Sequence, residues 1–174
     1  QKGDHICLVG NALCERMQHH NSWESLLHQR FPKLELTVRN LGFPGDEPFD
    51  RIRSQNFGDP DKHLAHSEAS VVMYFFGFNE SFAGSEGLPQ FREDLDSFIK
   101  DVRQLNYPYQ NYLRGAENAE SFDGKGDVEQ TPQLVLISPV ASENRKDRRI
   151  LAGDQNNENL KLYSEAMREV AAAN

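Results

Sequence analysis

Sulfur and positive charge are scarce in this chain of 174 residues: it holds two cysteines, three methionines, and 19 Lys and Arg against 27 Asp and Glu. Cys7 and Cys14 are too few for a disulfide framework. With no Cys-x-x-Cys pair and no Cys/His zinc spacing, they make no structural zinc site either. The net charge of -8 is a poor match for a phosphate backbone, so nucleic acid is not an expected partner. The densest cationic stretch, Arg145, Lys146, Arg148 and Arg149, falls in a loop. We read the acidity as a solubility feature. No run approaches the roughly 20 apolar residues needed to span a bilayer, so no transmembrane segment is expected. The chain opens at Gln1 without an initiator methionine or a signal peptide. A piece of a longer protein with further domains is therefore an expectation, and the compartment is left open.

Several binding loops are also absent. No Gly-x-Gly-x-x-Gly follows a strand, no Gly-x-x-x-x-Gly-Lys-Ser/Thr occurs, and there is no Gly-x-Ser-x-Gly elbow. No cofactor and no metal are expected on this basis.

What is present is an alternation of strand and helix patterns. His5 to Val9 is a short, nearly continuous apolar run, as expected for a strand buried on both faces. Leu34 to Asn40 alternates, which predicts a half-exposed strand near an edge. Ala69 to Phe76 predicts a central strand, and Leu134 to Ile137 a further buried one. Between them, Asn21 and Glu24 have the spacing of a capping box, with Trp23, Leu26, Leu27 and Phe31 continuing the helical period. Asp46 is a candidate cap for a short helix through Ile52. Leu88 to Leu105 carries the clearest apolar face, through Phe91, Leu95, Phe98, Ile99 and Val102. Leu160, Tyr163, Met167 and Val170 repeat the pattern near the end.

This order predicts an α/β fold: a doubly wound, flavodoxin-like parallel sheet with helices on both faces, forming a three-layer α/β/α sandwich over a single domain, 1–174. The polar segment 106–132, with Tyr107, Tyr109 and Tyr112, reads as an insertion loop. A doubly wound domain would place a fifth strand after the last helix, and we expect one beyond Asn174.

Open parallel sheets bind ligands at the carboxyl ends of their strands. That rule selects four loops: Gly10 to Arg16, Asn40 to Glu47, Gly77 to Gly87, and Ser138 to Arg145. Three of them carry glycine just beyond a strand, which suits a sharp turn or a close backbone approach. A flavodoxin-type cofactor carrier would need a phosphate cradle in the first loop. Gly10-Asn11-Ala12-Leu13-Cys14-Glu15 is too poor in hydroxyls and too acidic for that.

Gly10-Asn11-Ala12-Leu13, Asn40-Leu41-Gly42-Phe43-Pro44-Gly45 and Gly77-Phe78-Asn79-Glu80 together resemble the first three sequence blocks of the SGNH (GDSL-type) hydrolases. Those blocks read Gly-Asp-Ser-Leu, Asn-x-Gly-x-x-Gly and Gly-x-Asn-Asp. The resemblance covers essentially the whole chain and continues more loosely through Ile137-Ser138-Pro139. It implies an esterase-like activity through an acyl-enzyme, on an acyl ester or an acetylated carbohydrate. By family habit it implies a bacterial protein, periplasmic or secreted. In the family the block-one serine attacks, and its backbone N–H, the block-two glycine N–H and the block-three asparagine form the oxyanion hole. A late Asp-x-x-His supplies the base.

Carried onto this chain, Gly45 and Asn79 match the oxyanion donors. Ala12 stands at the nucleophile position, Asn11 at the preceding aspartate, and Glu80 at the second acid of block three. No Asp-x-x-His occurs in the sequence. A methyl group forms no acyl-enzyme, and loss of a triad nucleophile costs on the order of 10⁶ in turnover. Cys14 is the nearest substitute nucleophile, although a small apolar residue packing the start of a helix explains it as well. Ser81 and Ser138 read as turn or cap residues. Glu15, Asp46, Glu47, Glu80 and Glu143, with Arg16 and Arg145, fall on the same edge. They could hold sugar hydroxyls or a hard cation, or form a solvated rim. Of these, Glu15, Arg16, Asp46 and Glu80, with Asn11, are the candidate binding residues. Trp23, Phe75 and Phe76 are expected in the core. Two readings follow: an ester hydrolase with a degenerate nucleophile position, or a catalytically silent pseudoenzyme domain that binds a glycan or a protein partner.

Overall fold

The apolar run at the start of the chain forms an inner strand, β1 (His5–Gly10), flanked on both sides. In the computed structural model, residues 1–20, 22–51, 60–104, 131–149 and 153–174 are described. Strands β2 (Thr37–Asn40), β3 (Val71–Phe75) and β4 (Gln133–Leu136) complete a parallel sheet in the order β2-β1-β3-β4. Ile6 sits opposite both Val38 and Val71, and Leu8 opposite both Asn40 and Met73. Helices α1 (Ala12–His20) and α2 (Ser22–Arg30) follow β1, and α3 (Pro60–His66) precedes β3. A 3-10 segment, Glu80–Gly87, leads into α4 (Leu88–Gln104). A second one, Gly153–Asn156, leads into α5 (Asn157–Ala173).

Successive strand side chains point to opposite faces, and the two faces build two cores. Cys7, Val9, Val72, Tyr74 and Phe76 pack with the apolar faces of α4 and α5, including Phe91, Leu95, Phe98, Tyr163 and Met167. Ile6, Leu8 and Phe75 pack with Cys14 and with Met17, Trp23 and Leu27 from the first two helices. The result is the expected three-layer α/β/α arrangement. Burying a side chain the size of Leu95, which is 0% exposed, contributes about 2 kcal/mol. Phe75 and Phe76 are buried as expected, and Trp23 is partly buried.

Local details depart from the sequence reading. The edge strand starts at Thr37 and not at Leu34, because Glu35 takes a positive φ of 52° and kinks the chain. Strand β4 is not buried: Gln133 and Val135 are exposed, since β4 pairs only with β3 among the described residues. Asp46 starts no helix over the next five residues. It is buried after a turn instead. Leu26 and Phe31 are exposed and lie outside the face that α2 packs on the sheet. Asn21, Ile52, Leu105 and most of segment 106–132 lie outside the described residues. Among the described residues, no helix is long and apolar enough to cross a membrane.

Candidate functional site

Three loops meet at the carboxyl edge of the sheet, and the second touches the other two. Strand β1 ends at Gly10, whose φ is 151°. A Cβ there would lie 2.5 Å from the Phe75 carbonyl oxygen, so only glycine lets the two inner strands close up at this point. The next N–H, that of Asn11, donates to the same Phe75 oxygen at 3.3 Å. The Gly10 carbonyl in turn accepts the Phe43 N–H at 2.9 Å, which draws the second loop alongside.

The second loop is held by Asn40. Its Nδ2 donates to the Cys14 carbonyl at 2.7 Å, and its Oδ1 accepts the Gly42 N–H at 2.9 Å. An asparagine that bonds the backbone two residues on is an Asx turn. The chain then turns through Phe43-Pro44-Gly45-Asp46, closed by the Asp46 N–H on the Phe43 oxygen at 3.2 Å. Gly45 has a φ of 91°, and proline followed by glycine in the two central places is the signature of a type II turn. The closing bond uses the Asp46 N–H, so the N–H of the exposed Gly45 stands outside it. Asp46 itself is 4% exposed.

The third loop folds back on Glu80. The Gly77 N–H donates to a Glu80 carboxylate oxygen at 2.8 Å. Asn79 caps no backbone with its side chain, and its Nδ2 reaches the Asp46 carbonyl at 3.4 Å. Asn79 and the Gly45-Asp46 turn are therefore neighbours. Burial pushes the Glu80 carboxyl up to about 7, against the pull of its own N–H, that of Gly77 and the Arg51 charge, and with a push from Glu47. Burial raises Glu47 as well, helped by Asp50 and Asp94.

Ala12 is exposed and lines a cleft of about 190 Å³. Asn11, Leu13, Phe75, Phe76, Phe78, Ile137, Pro139 and Val140 form the rest of its lining. The cleft lies at the edge the sheet topology selects, and it is mostly apolar. Asn11 is 3% exposed, and its Oδ1 accepts the Leu13 N–H at 3.4 Å.

Cys14 is 0% exposed. Burial pushes its thiol up to about 12, against the Gly42 N–H, with Glu15 and Asp46 adding to the rise. A thiol that is almost never ionised is no nucleophile. Glu15 sits on the outer side of α1, where Gln18 at 2.8 Å and His19 at 3.0 Å engage it. Arg16 beside it is exposed, as are Glu143 and Arg145. Ser81 is buried and donates to the Phe78 carbonyl at 2.6 Å, a turn role. Among the described residues, no three His, Cys, Asp or Glu gather as a metal site would require.

Sequence reading missed two parts of this site. Asn40 was visible only as a letter in the second block, although asparagine two residues before glycine is itself a turn signal. The cleft walls Phe78, Ile137, Pro139 and Val140 come from two separate loops, and no local pattern joins them.

No family model and no curated protein matches this sequence. Solved structures do. An acetyl xylan esterase, AlAXEase, aligns with a TM-score of 0.61 at 12% identity, covering 97% of this chain and 73% of that one. An acetyl xylan esterase from Geobacillus stearothermophilus aligns with a TM-score of 0.60 at 14% identity, covering 99% and 73%. A gut microbial diltiazem-metabolizing enzyme aligns with a TM-score of 0.56 at 21% identity. The chain is covered completely in that last match but spans only 36% of its partner's length. The likeness is one of fold: this chain has the α/β/α fold of the SGNH hydrolases.

Proposed function

We propose that this chain is an SGNH-type, ester hydrolase-like domain that binds an acyl ester or an acetylated carbohydrate at the Ala12 cleft. The observation that carries the reading is the position of Ala12. It lines a cleft at the end of β1 together with Phe78 of the third loop, and the neighbouring Gly10 oxygen accepts the Phe43 N–H at the start of the Gly45 turn. Gly45 and Asn79 serve as donors to a carbonyl oxygen, and Asp46 and Glu80 hold the loops that carry them. Two neighbours of this fold are acetyl xylan esterases, which supports the ester class.

The nucleophile is absent from this arrangement, and that favours the catalytically silent form of the domain. The Ala12 methyl has no electron pair to give, and Cys14 is buried with its proton held. Such a domain holds its ligand without turnover.

Ala12→Ser in the full-length natural protein tests this directly, with 4-nitrophenyl acetate as substrate. The expected result is no turnover by the wild type and measurable turnover by the variant. Adding Asn79→Ala should then lower the rate about 10²-fold, the usual cost of one oxyanion donor. Ordinary enzymatic rates from the wild type would overturn the silent form. A gain from Ala12→Ser that Asn79→Ala leaves unchanged would overturn the oxyanion role given to Asn79.

A further inference from the structure

We propose that Asn156 and Asn157, at the start of α5, are positioning residues that fix the spacing between two of the loops lining the Ala12 cleft. Neither side chain lines the cleft itself. Each acts through a loop that does. This deepens the reading of the cleft as a ligand site and rests on it for its importance, but it makes no claim about the ligand or about turnover.

Local need does not explain these side chains. Asn156 holds the N-cap place of α5, where an asparagine oxygen ordinarily accepts a backbone N–H of the first turn. It makes no such bond. Its Oδ1 instead accepts the Asn159 Nδ2 at 2.9 Å, and its Nδ2 donates to the Ser81 Oγ at 2.6 Å. Ser81 is 0% exposed and passes the tie on to the Phe78 carbonyl at 2.6 Å.

Asn157 reaches a different loop. Its Oδ1 accepts the Ser142 N–H and its Nδ2 donates to the Ser142 carbonyl, both at 2.9 Å. One amide thus grips both backbone groups of one residue, which needs a donor and an acceptor side by side. Aspartate and alanine lack that pair. The contact is close as well as polar: a Cβ on Gly153, just before α5, would lie 2.7 Å from the Ser142 Cβ.

The two ties end beside residues that wall the cleft. Phe78 belongs to the third loop, and Pro139 and Val140 lead into Ser142 in the fourth. Among the described residues no hydrogen bond joins these two loops directly. The start of α5 is their common support. Tyr163 on the same helix adds a third tie, donating to the Gly84 carbonyl at 3.0 Å.

Spin labels on Phe82→Cys and Val140→Cys report the spacing. Both positions are exposed, and Cys7 and Cys14 are 0% exposed, so only the new thiols take label. In the full-length protein the label-to-label distances should form one narrow distribution. Asn157→Ala should broaden it, because the fourth loop loses two bonds, each worth about fivefold in the held-to-released ratio. Asn156→Ala should broaden it less, since Tyr163 still holds the third loop. Arg92→Ala is the control: it breaks the Arg92–Glu169 bonds between α4 and α5 and touches neither loop. It should leave the distribution unchanged, a contrast that general loosening of the fold does not produce. Unchanged distances in Asn157→Ala, or equal broadening in Arg92→Ala, would overturn the proposal. Hydrogen exchange of the wild type supplies a test that no unstable variant can spoil. The Ser142 N–H, held by Asn157, should exchange about fivefold or more slowly than that of the exposed Glu143, each relative to its free-chain rate. Equal rates would also overturn the clamp. Neither measurement involves a ligand, so a protein inert toward esters leaves this proposal standing.

Discussion

The side-chain NH2 of Asn40 donates to the backbone oxygen of Cys14 at 2.7 Å, fastening the end of β2 to the first turn of α1. The same side chain accepts the Gly42 N–H at 2.9 Å through its oxygen. One residue thus ties together the loop that bears Gly45 and the helix that begins at Ala12. Asn40→Ala removes both bonds and leaves a part-buried carbonyl and a buried N–H short of their partner. The expected loss is about 2 kcal/mol, read as a lower urea midpoint. Asn40→Asp keeps the acceptor for Gly42 but sets a charged oxygen against the Cys14 carbonyl, so it should be no more stable than alanine. Equal stability of all three would show that the tie contributes nothing.

The Cys14 thiol makes a second, chemical prediction. With its pKa pushed up to about 12 by burial, it is ionised only about once in 10⁴ molecules at pH 8. Cys7 is buried too, and burial raises it to about 11. Neither thiol should react with Ellman's reagent in the folded protein, and both should react in concentrated urea. One fast equivalent in the folded state, mapped to Cys14, would restore it as a substitute nucleophile.

Much of this architecture is legible in the sequence, and the parts that are not share a cause. Strand β1 and the faces of α4 and α5 were readable because their apolar spacing is local and each buries it directly. Strand β4 carries the same apolar signal, yet its side chains are half exposed, because burial depends on what lies beside it in the sheet. Leu26 and Phe31 fit the helical period of α2 and still face water, since period alone does not say how wide the packed stripe is. Asp46 looked like a cap and is instead a buried residue held at the end of a type II turn. The three block loops were legible as glycine and asparagine spacings after strands. The cleft was not, because residues 11–13, 75–78 and 137–140 meet only through the parallel strand order.

Glu80 should give the fold a measurable pH dependence. Its carboxyl is raised from an ordinary 4.5 to about 7, chiefly by burial. A raised carboxyl is a stability cost whenever it must ionise in the folded state. Below pH 4.5 it is protonated in both states, and the cost is absent. As pH rises from 4.5 through 7, the unfolded chain ionises freely while the folded chain resists. Stability therefore falls over that window by up to about 3 kcal/mol and levels off above it. Glu80→Gln keeps an oxygen for the Gly77 N–H and removes the charge. Urea midpoints across this range should slope downward for the wild type and flatten in the variant. A wild-type curve that rises from pH 5 to pH 7, with Glu80→Gln unchanged, would contradict the buried carboxyl.

Gly10 and Gly3 separate two reasons why a glycine is needed. Both have positive φ, 151° and 82°, and both would strain an alanine. At Gly3 a Cβ meets nothing within 4 Å, so Gly3→Ala should cost only the strain, about 1 kcal/mol. At Gly10 the new Cβ would lie 2.5 Å from the Phe75 oxygen and 2.7 Å from the Phe75 Cβ. Relief requires β1 and β3 to part at the point where Asn11 bonds the same oxygen. Strain and overpacking together predict a loss of about 3 kcal/mol or more, a large share of the 5–15 kcal/mol typical of a whole domain. Similar stability of the two variants would mean that the close approach of the strands at Gly10 adds nothing to the cost of the strained backbone.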